Sequence, residues 1–448
     1  MSHPILHLGL GRFHRAHQAV YFQRLADEFN DQRWTITSFS MRTADARDAM
    51  IAVDHRYPVV ETEKAETKFR WIDRIREVGA LGLDRELFLS RMTDPVLEMV
   101  TLTITEKGYC LDVDGRLDLN SAEIKSDLAS PEEPKSAIGA LAHGLIQRFS
   151  DSSPSSRRLT ILSCDNLRAN GDRLQNAVIA YLEKLGRADV VAILKEHVTF
   201  PCSMVDRIVP SLSNDARKKF ETEIGLVHPE LIATEAFSQW VIEDRFARPR
   251  PPLDKVGVDF VKSVRAHEDM KLRLLNAAHS FLAYAGLMRG HSYVHEAAGD
   301  PELREWTRRL IFDEAGPLLG TDIDWKSYGE RVMKRFENSK LPHSLRQIAM
   351  DGSVKIPQRL LPTIEESIRS HASSPACDMA VASWIAFLHR EFGPDGGHKV
   401  EDPAAQRLKR LWHPEFTKWL KCVATDHQIF GALAGDPTWH ERLARAND

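Results

Sequence analysis

The hydrophobic pattern of this 448-residue chain changes at a cluster of three prolines just past its midpoint. Before the cluster, short apolar runs typical of strands alternate with stretches typical of helices, which favours a parallel sheet covered by helices. After it, apolar residues recur every three or four positions, as in amphipathic helices. The strand candidates are Pro4–Leu8, Trp34–Phe39, Met99–Ile104 and Leu159–Ser163.

The proline-rich segment Arg245–Pro252 cannot continue a helix or a central strand, because proline lacks the backbone N–H. A chain of this length fits two domains of about 200 residues each. We therefore expect a Rossmann-type, doubly wound α/β domain over residues 1–252 and a mostly α-helical domain over residues 253–448, with Phe260 and Val261 in its first helix. Loops are expected at Ser126–Pro134 and Ser150–Ser156, around a helix over Ala137–Phe149.

Composition narrows the function classes. The 60 basic and 64 acidic residues give a net charge of −4, too weak a field to favour nucleic acid or an anionic membrane as a partner. Met1–Leu10 lacks the apolar core of a secretory signal, so we expect a cytoplasmic protein. The five cysteines are scattered without a Cys-x-x-Cys pair, which predicts buried free thiols and no metal site.

A glycine turn follows the first predicted strand. Gly9 and Gly11 are followed by a helical stretch, and this order of strand, glycine turn and helix is typical of a dinucleotide site, where the backbone approaches a pyrophosphate. His14 stands where the usual motif has its third glycine, so an ordinary tight turn remains an alternative. The second strand ends without the acidic residue that binds an adenosine ribose. Arg42 is there instead, and could favour a 2′-phosphate, contact the pyrophosphate or lie in solvent.

A polar trio in the second half suggests acid–base chemistry. On an ideal helix of ~100° per residue, Asn276 lies ~140° and His279 ~80° from Lys271, so the three share less than half the circumference. Oxidation of an alcohol by hydride transfer needs a base for the hydroxyl proton and donors to the developing alkoxide, and Lys271 is the natural base. The alternative is that Lys271 extends to solvent while Asn276 and His279 bond to neighbouring backbone.

Two further polar clusters follow predicted strands, Cys164-Asp165-Asn166 and Val205-Asp206-Arg207. Ligands of doubly wound sheets bind beyond the carboxyl ends of strands, so Asn166 is well placed for a substrate oxygen. Capping of a turn by Asp165 and Asn166 explains the first cluster equally well.

Six ordered motifs resemble the mannitol dehydrogenase family, the polyol-specific long-chain dehydrogenases that include mannitol 2-dehydrogenases and fructuronate reductases. They run nearly from end to end: Gly9-x-Gly11-x-Phe13-His14-Arg15-Ala16-His17, Thr103-x-Thr105-Glu106-Lys107-Gly108-Tyr109, Cys164-Asp165-Asn166, Val205-Asp206-Arg207-Ile208, Phe237-Ser238-Gln239-Trp240 and Lys271-x4-Asn276-x2-His279.

The resemblance implies a zinc-independent, NAD-dependent oxidoreductase, with NADP not excluded, that acts in a cleft between two domains and is a monomer. It implies that Lys271 is the general base, that Asn166 and Asn276 hold the alkoxide or carbonyl oxygen, and that His279 and Asp206 orient substrate hydroxyls or the base. The implied cofactor-binding residues are Gly9, Gly11, Arg12, Phe13, Arg42 and Glu106.

The resemblance also bears on the substrate, a linear polyol or sugar acid. Met350 stands where polyol-oxidising members tend to carry histidine, which favours a sugar acid, with Lys355, Arg346 or Arg359 available for its carboxylate. Two alternatives remain open: a sugar-phosphate dehydrogenase of mannitol-1-phosphate type, and a dinucleotide-binding sensor without catalysis.

Overall fold

The computed structural model describes residues 4–63, 66–112, 114–150, 157–394, 396–397 and 399–446. The chain divides into two compact units, of which the first ends at Arg265 and the second begins at Ala266. The first unit is α/β and the second is mostly helical, so the predicted fold class is confirmed. The domain boundary expected after residue 252 stays a prediction.

The strands of the first unit, β1 to β12, span Ile5–Leu8, Ile36–Ser40, Tyr57–Glu63, Glu66–Ile72, Ile75–Ala80, Met99–Leu102, Leu159–Ser163, Val198–Thr199, Ser203–Asp206, Ile232–Glu235, Gln239–Glu243 and Asp259–Val261. Six of them form a parallel sheet in the order β5-β2-β1-β6-β7-β8. Because β1 pairs with both β2 and β6, the strand order reverses beside β1, which makes this the switch point where ligands of doubly wound sheets bind. Two sheets of three strands accompany it, in the orders β10-β3-β4 and β12-β11-β9.

Apolar side chains cover both faces of the six-stranded sheet. Successive strand residues point to opposite faces, so Ile5 packs in one core cluster and Leu6 in the other. Strands buried on both sides read as continuous apolar runs, which is why the sequence revealed them. The helices of this unit are Arg12–Ala16, Gln18–Phe29, Asp45–Ala52, Arg85–Thr93, Ala122–Ala129, Ala137–Ser150, Asn170–Lys184, Ala188–His197 and Asn214–Ile224, with 3₁₀ turns at Glu106–Tyr109 and Leu253–Val256.

The second unit is organised around the buried helix Ala277–Met288, which packs against Pro375–Phe392. Two π-helical segments, Lys271–Asn276 and Leu310–Ala315, interrupt its α-helices. The remaining helices are Arg265–Met270, Val294–Gly299, Pro301–Arg309, Trp325–Phe336, Leu345–Ile348, Gly352–Arg359, Leu361–Arg369, Ala405–Arg410, Phe416–Ala424, His427–Phe430 and Pro437–Arg445, with 3₁₀ turns at Gly316–Leu319 and Gly431–Gly435.

The structure corrects three local predictions. Phe260 and Val261 lie in β12 rather than a helix, because this short segment pairs with β11. The loop expected from Ser126 begins too early, since helix Ala122–Ala129 is capped by the Ser121 hydroxyl and continues through it. Cys422 is exposed, whereas the other four free cysteines are buried as expected. The helix expected over Ala137–Phe149 is confirmed, and most of the loop that follows it, residues 151–156, lies outside the described part of the chain.

Within the described residues, no helix combines the length and the apolar composition that crossing a bilayer would require.

Candidate active site

The turn after β1 brings the backbones of two strands together. Gly9 has a φ of +110°, and a Cβ atom there would lie 2.0 Å from the Thr103 carbonyl oxygen beyond β6. The Gly11 N–H donates to the Gly9 carbonyl over 2.6 Å and closes the turn. A Cβ atom on Gly11 would meet only the Gly9 oxygen, at 3.9 Å, so the space beside the turn is open. Both features fit the approach of a dinucleotide pyrophosphate to the backbone.

The other predicted cofactor residues follow the carboxyl ends of neighbouring strands. Arg12 is exposed at the start of the helix after the turn, and Phe13 is half-buried and stacks on His17, with 5.0 Å between the ring centroids. Arg42 is exposed just beyond β2, and Glu106 is exposed in the 3₁₀ turn after β6. The fold therefore brings these side chains to one edge of the sheet, around the switch point.

His14, which replaces the third glycine of the usual motif, is fully buried beneath the turn. Its ring stacks on His7 with 3.4 Å between centroids and 8° between planes. His7 lies 2.7 Å from the Thr101 hydroxyl and 2.9 Å from that of Thr103. Burial lowers the pKa of His7 to about 3 and that of His14 well below its usual value, so both rings are neutral. The sequence did not reveal this stacked pair of histidines, which packs against the glycine turn.

The two polar clusters separate into buried and exposed members. Asp165 is buried and its carboxylate accepts the backbone N–H groups of Ile104 and Thr105, each over 2.9 Å. Asn166 is exposed beyond the carboxyl end of β7. Asp206 is the last residue of β9 and is buried. Asp165 thus caps the segment after β6, and Asn166 is exposed at the same edge of the sheet as the cofactor candidates.

Two of the motifs hold the first unit together. Arg207, whose side chain is fully buried, forms an ion pair with Glu61 and donates to the Ala16 carbonyl over 2.6 Å. The Trp240 ring lies 5.7 Å from His17 of the first motif. These contacts join residues that are distant in the sequence and explain the motif positions without a role in binding.

The helix that carries Lys271 is π-helical from Lys271 to Asn276. The Ala277 N–H donates to the Leu272 carbonyl, five residues earlier. In such a wide turn, residues five apart replace those four apart as near neighbours, so the spacing of ~100° per residue does not hold here. Lys271 and Asn276 are five apart, and the π segment therefore brings them toward the same side of the helix.

Lys271 and His279 are both buried, with 7% of each exposed. The His279 ring lies 4.7 Å from the Phe336 ring and 5.4 Å from the His343 ring, nearly perpendicular to the latter. Its Nε2 has no hydrogen-bond partner among the described residues. Burial, followed by the nearby His343, holds the pKa of His279 well below its usual value. A buried, neutral imidazole with a free nitrogen can donate to or accept from a substrate hydroxyl.

His343 belongs to the same cluster, although sequence reasoning did not select it. Burial and the adjacent Lys355 lower the pKa of His343 to about 4. It lies in the segment between two helices, 64 positions beyond His279, where no periodicity or motif marks it.

Two of the three predicted carboxylate ligands lie near the helix that carries Lys271 and Asn276. Arg359 donates to the Asn276 carbonyl over 3.2 Å and to the Ser280 hydroxyl over 3.0 Å. Lys355 donates to the Ile348 carbonyl over 3.3 Å. Arg359 therefore braces the helix beside Asn276, and Lys355 lies close enough to His343 to help lower the pKa of that imidazole.

Arg346, the third, is exposed and lines an open pocket of about 340 Å³. Met350, Phe387, Lys399 and Glu401 are among the other residues of its wall. A contact of Arg346 with the carboxylate of a substrate stays a prediction.

No group of three or more histidine, cysteine or acidic side chains that could hold a metal ion occurs among the described residues.

The six-stranded sheet, its switch point and the glycine turn define the first unit as a dinucleotide-binding domain of Rossmann type. The second unit, which follows it in the sequence, is a helical domain. The Rossmann-domain model of mannitol dehydrogenase matches residues 3–255, and the C-terminal-domain model matches residues 263–447. The chain belongs to the mannitol dehydrogenase family, which confirms the resemblance carried by the motifs, and it is an oxidoreductase of that family.

Named relatives agree with this assignment. D-mannonate oxidoreductase of Escherichia coli (strain K12) is 37% identical over 91% of this chain and 84% of the relative. Mannitol 2-dehydrogenase of Phaeosphaeria nodorum is 34% identical over 90% of this chain and 72% of the relative. The structure of Pseudomonas fluorescens mannitol 2-dehydrogenase in a ternary complex with NAD and D-mannitol aligns with a TM-score of 0.88 and 31% identity, over 100% of this chain and 91% of that one.

Proposed function

We propose that this protein transfers a hydride reversibly between NAD and a secondary alcohol of a sugar acid, of the mannonate and fructuronate type. The observation that carries the proposal is the buried Lys271 at the start of a π-helical segment, on the same helix as the buried, neutral His279. Burial disfavours the charged form of a lysine, which makes its amine a better proton acceptor, and alcohol oxidation requires a base.

The glycine turn supports NAD as the cofactor. Gly9 and Gly11 leave room for a pyrophosphate, and the related mannitol 2-dehydrogenase structure was obtained with NAD. No carboxylate lies close enough after β2 to bind the 2′-hydroxyl of the adenosine ribose, a contact that would favour NAD over NADP. Because Arg42 is exposed there and could bind a 2′-phosphate, NADP remains an alternative cofactor.

The side chains of the protein would transfer the proton and bind the substrate oxygens, while the nicotinamide of NAD, when bound, would accept the hydride. Lys271 takes the hydroxyl proton at Nζ during oxidation and returns it during reduction. The Asn276 amide donates to the oxygen that carries the developing charge, and Arg359 fixes the backbone of Asn276. His279 orients a neighbouring hydroxyl, and Asn166 and Asp206 stay predicted substrate contacts. The scheme needs no metal ion.

The charge around His279 favours an anionic substrate. The charged groups that act on its imidazole include Arg335 and Arg359, together with Lys271, which is positively charged before it donates its proton in the direction of reduction. Lys355 adds a fourth positive charge next to His343. A carboxylate would be attracted more strongly to such a cluster than the neutral hydroxyls of a polyol, because its hydrogen bonds to cationic donors are assisted by charge. The 37% identity to D-mannonate oxidoreductase supports the same choice.

A spectrophotometric assay at the nicotinamide absorbance band tests the proposal. The purified protein is offered NADH or NADPH with fructuronate, tagaturonate and fructose, and NAD or NADP with mannonate, altronate, mannitol, arabinitol, sorbitol and mannitol 1-phosphate. We expect turnover of the sugar acids with NAD(H). Activity confined to the neutral polyols would contradict the substrate class, activity confined to the phosphate ester would favour a sugar-phosphate dehydrogenase, and cofactor binding without any turnover would favour a sensor.

A monomer in the cytoplasm, without nucleic-acid or membrane partners, stays our expectation. Light scattering after size exclusion measures the first point directly, and a dimer would contradict it.

A further inference from the structure

Asp165 joins the carboxyl ends of two adjacent strands in the six-stranded sheet. It lies just beyond β7, is 9% exposed, and directs both carboxylate oxygens at the segment that follows β6. One oxygen accepts the Thr105 N–H over 2.9 Å. The other accepts the Ile104 N–H over 2.9 Å and the Tyr109 hydroxyl over 2.8 Å. Three donors on one short segment are thus held by a single side chain.

The backbone that Asp165 holds has an unfavourable conformation. Thr105 has φ +64° and ψ 162°, a region that residues other than glycine rarely adopt. Such a residue costs about 1–3 kcal/mol and persists only where its surroundings hold it. Here Thr105 is held by the two hydrogen bonds that the consecutive N–H groups of Ile104 and Thr105 donate to the Asp165 carboxylate. The side chain of Thr105 itself is exposed.

The strained residue lies at the switch point of the sheet. Two positions earlier, the Thr103 carbonyl is the group that a Cβ atom on Gly9 would strike, so this segment adjoins the glycine turn. In a doubly wound sheet, the pyrophosphate lies at the turn after β1 and the adenosine extends toward β2. The nicotinamide half must then extend toward β6 and β7, which is where Thr105, Glu106 and Asn166 are exposed.

Capping of turns by a buried aspartate is common, and the same unit contains a matched example. Asp127 is fully buried and accepts the N–H groups of Lys135 and Ser136, over 2.8 and 2.9 Å, together with the Ser136 hydroxyl. Its partners have ordinary negative φ angles and precede helix Ala137–Ser150 rather than following a strand. Asp127 therefore stabilises the fold with the same set of donors, without holding a strained residue at the switch point.

We propose that Asp165 is a positioning residue for the dinucleotide, which fixes the Thr105–Glu106 backbone in the conformation that binds the nicotinamide half. The inference rests on the proposed function, because it takes the ligand to be NAD(H). Tyr109 assists it, since its buried hydroxyl donates to Asp165 and lies 2.5 Å from the Ser163 hydroxyl. The Asp165 carboxylate accepts from backbone N–H groups and from Tyr109, so it acts on the ligand through Thr105.

The test compares Asp165→Asn with Asp127→Asn. Each change replaces a carboxylate oxygen by an NH₂ group that faces a donor, so both variants should show a similar fall in the urea midpoint of unfolding. The dissociation constant of NADH, measured by fluorescence titration without substrate, should rise about tenfold or more in Asp165→Asn only. The KM for NADH should rise in parallel, with a smaller change in kcat.

Tyr109→Phe removes one donor and keeps both backbone bonds, so it serves if Asp165→Asn does not fold. Its NADH dissociation constant should rise by a smaller factor than that of Asp165→Asn. The inference would be overturned if Asp165→Asn bound NADH as tightly as the wild type. If Asp165→Asn does not fold, wild-type NADH affinity in Tyr109→Phe would overturn it in the same way. An equal loss of NADH affinity in Asp127→Asn would also overturn it. A wild-type protein that binds no dinucleotide would overturn both proposals. NADH binding without turnover, still weakened in Asp165→Asn, would overturn the proposed function alone.

Discussion

Replacing Gly9 by alanine should damage cofactor binding and stability through two separable effects. Its φ of +110° costs a residue with a Cβ atom about 1–3 kcal/mol. The new Cβ atom would also lie 2.0 Å from the Thr103 carbonyl oxygen and 2.7 Å from its carbon, so the backbone at the end of β6 must move. Overpacking of this kind adds about 1–3 kcal/mol. We therefore expect Gly9→Ala to lower the free energy of unfolding by roughly 4 kcal/mol, the sum of both effects.

Gly257→Ala is the matched control, because Gly257 has φ +89° but nothing within 4 Å of the position that a Cβ atom would occupy. Gly257→Ala should lower the free energy of unfolding only by the cost of a positive φ at a residue with a Cβ atom, about 1–3 kcal/mol. Urea unfolding gives the stability difference, and fluorescence titration gives the NADH dissociation constant. We expect NADH affinity to fall in Gly9→Ala and to be unchanged in Gly257→Ala. Equal stability losses together with unchanged NADH affinity would refute the argument that the close approach of these two backbones shapes the cofactor site.

Three further outcomes follow from the same contacts. Arg207→Met removes a buried guanidinium that pairs with the partly exposed Glu61 and donates to the Ala16 carbonyl, and should cost about 2–3 kcal/mol in urea unfolding. A loss below ~1 kcal/mol would contradict a structural role. The pKa of His343 is about 4 in the folded protein against 6.5 unfolded, so the unfolded state binds more protons and stability falls as the pH drops from 6.5 to 4. His343→Gln should show a shallower fall over that window, and an unchanged slope would count against the buried, neutral ring. Asn276→Ala should lower kcat/KM by ~10²–10³-fold with NADH affinity retained; lost NADH affinity would assign Asn276 to the cofactor site instead.

The sequence predicted the parallel sheet because its strands are buried on both faces and therefore read as apolar runs. The glycine turn was equally predictable, since only glycine tolerates the approach of Thr103 to Gly9. Short-range patterns failed where a distant partner decides the structure. Phe260 and Val261 become a strand because β11 is available to pair with them, which no local periodicity can reveal.

The candidate site was predicted in part for the same reason. The spacing of Lys271 and Asn276 predicts that both lie on one helix, but a uniform helical spacing does not predict the π-helical turn between them. His343 joins His279 through tertiary packing alone, and His14 occupies its position because it stacks on His7. Such contacts depend on the fold and leave no trace in the order of residues along the chain.

The measurement that tests the account most directly is the turnover of Lys271→Met with fructuronate and NADH, compared with Lys262→Met. Lys262 is exposed and lies nine positions earlier, so its replacement controls for the loss of a positive charge. The account predicts that Lys271→Met lowers kcat by at least ~10²-fold, as expected for loss of a positioned acid–base group, while its NADH dissociation constant stays at the wild-type value. Turnover of Lys271→Met within a few-fold of that of Lys262→Met would contradict the assignment of Lys271 as the base.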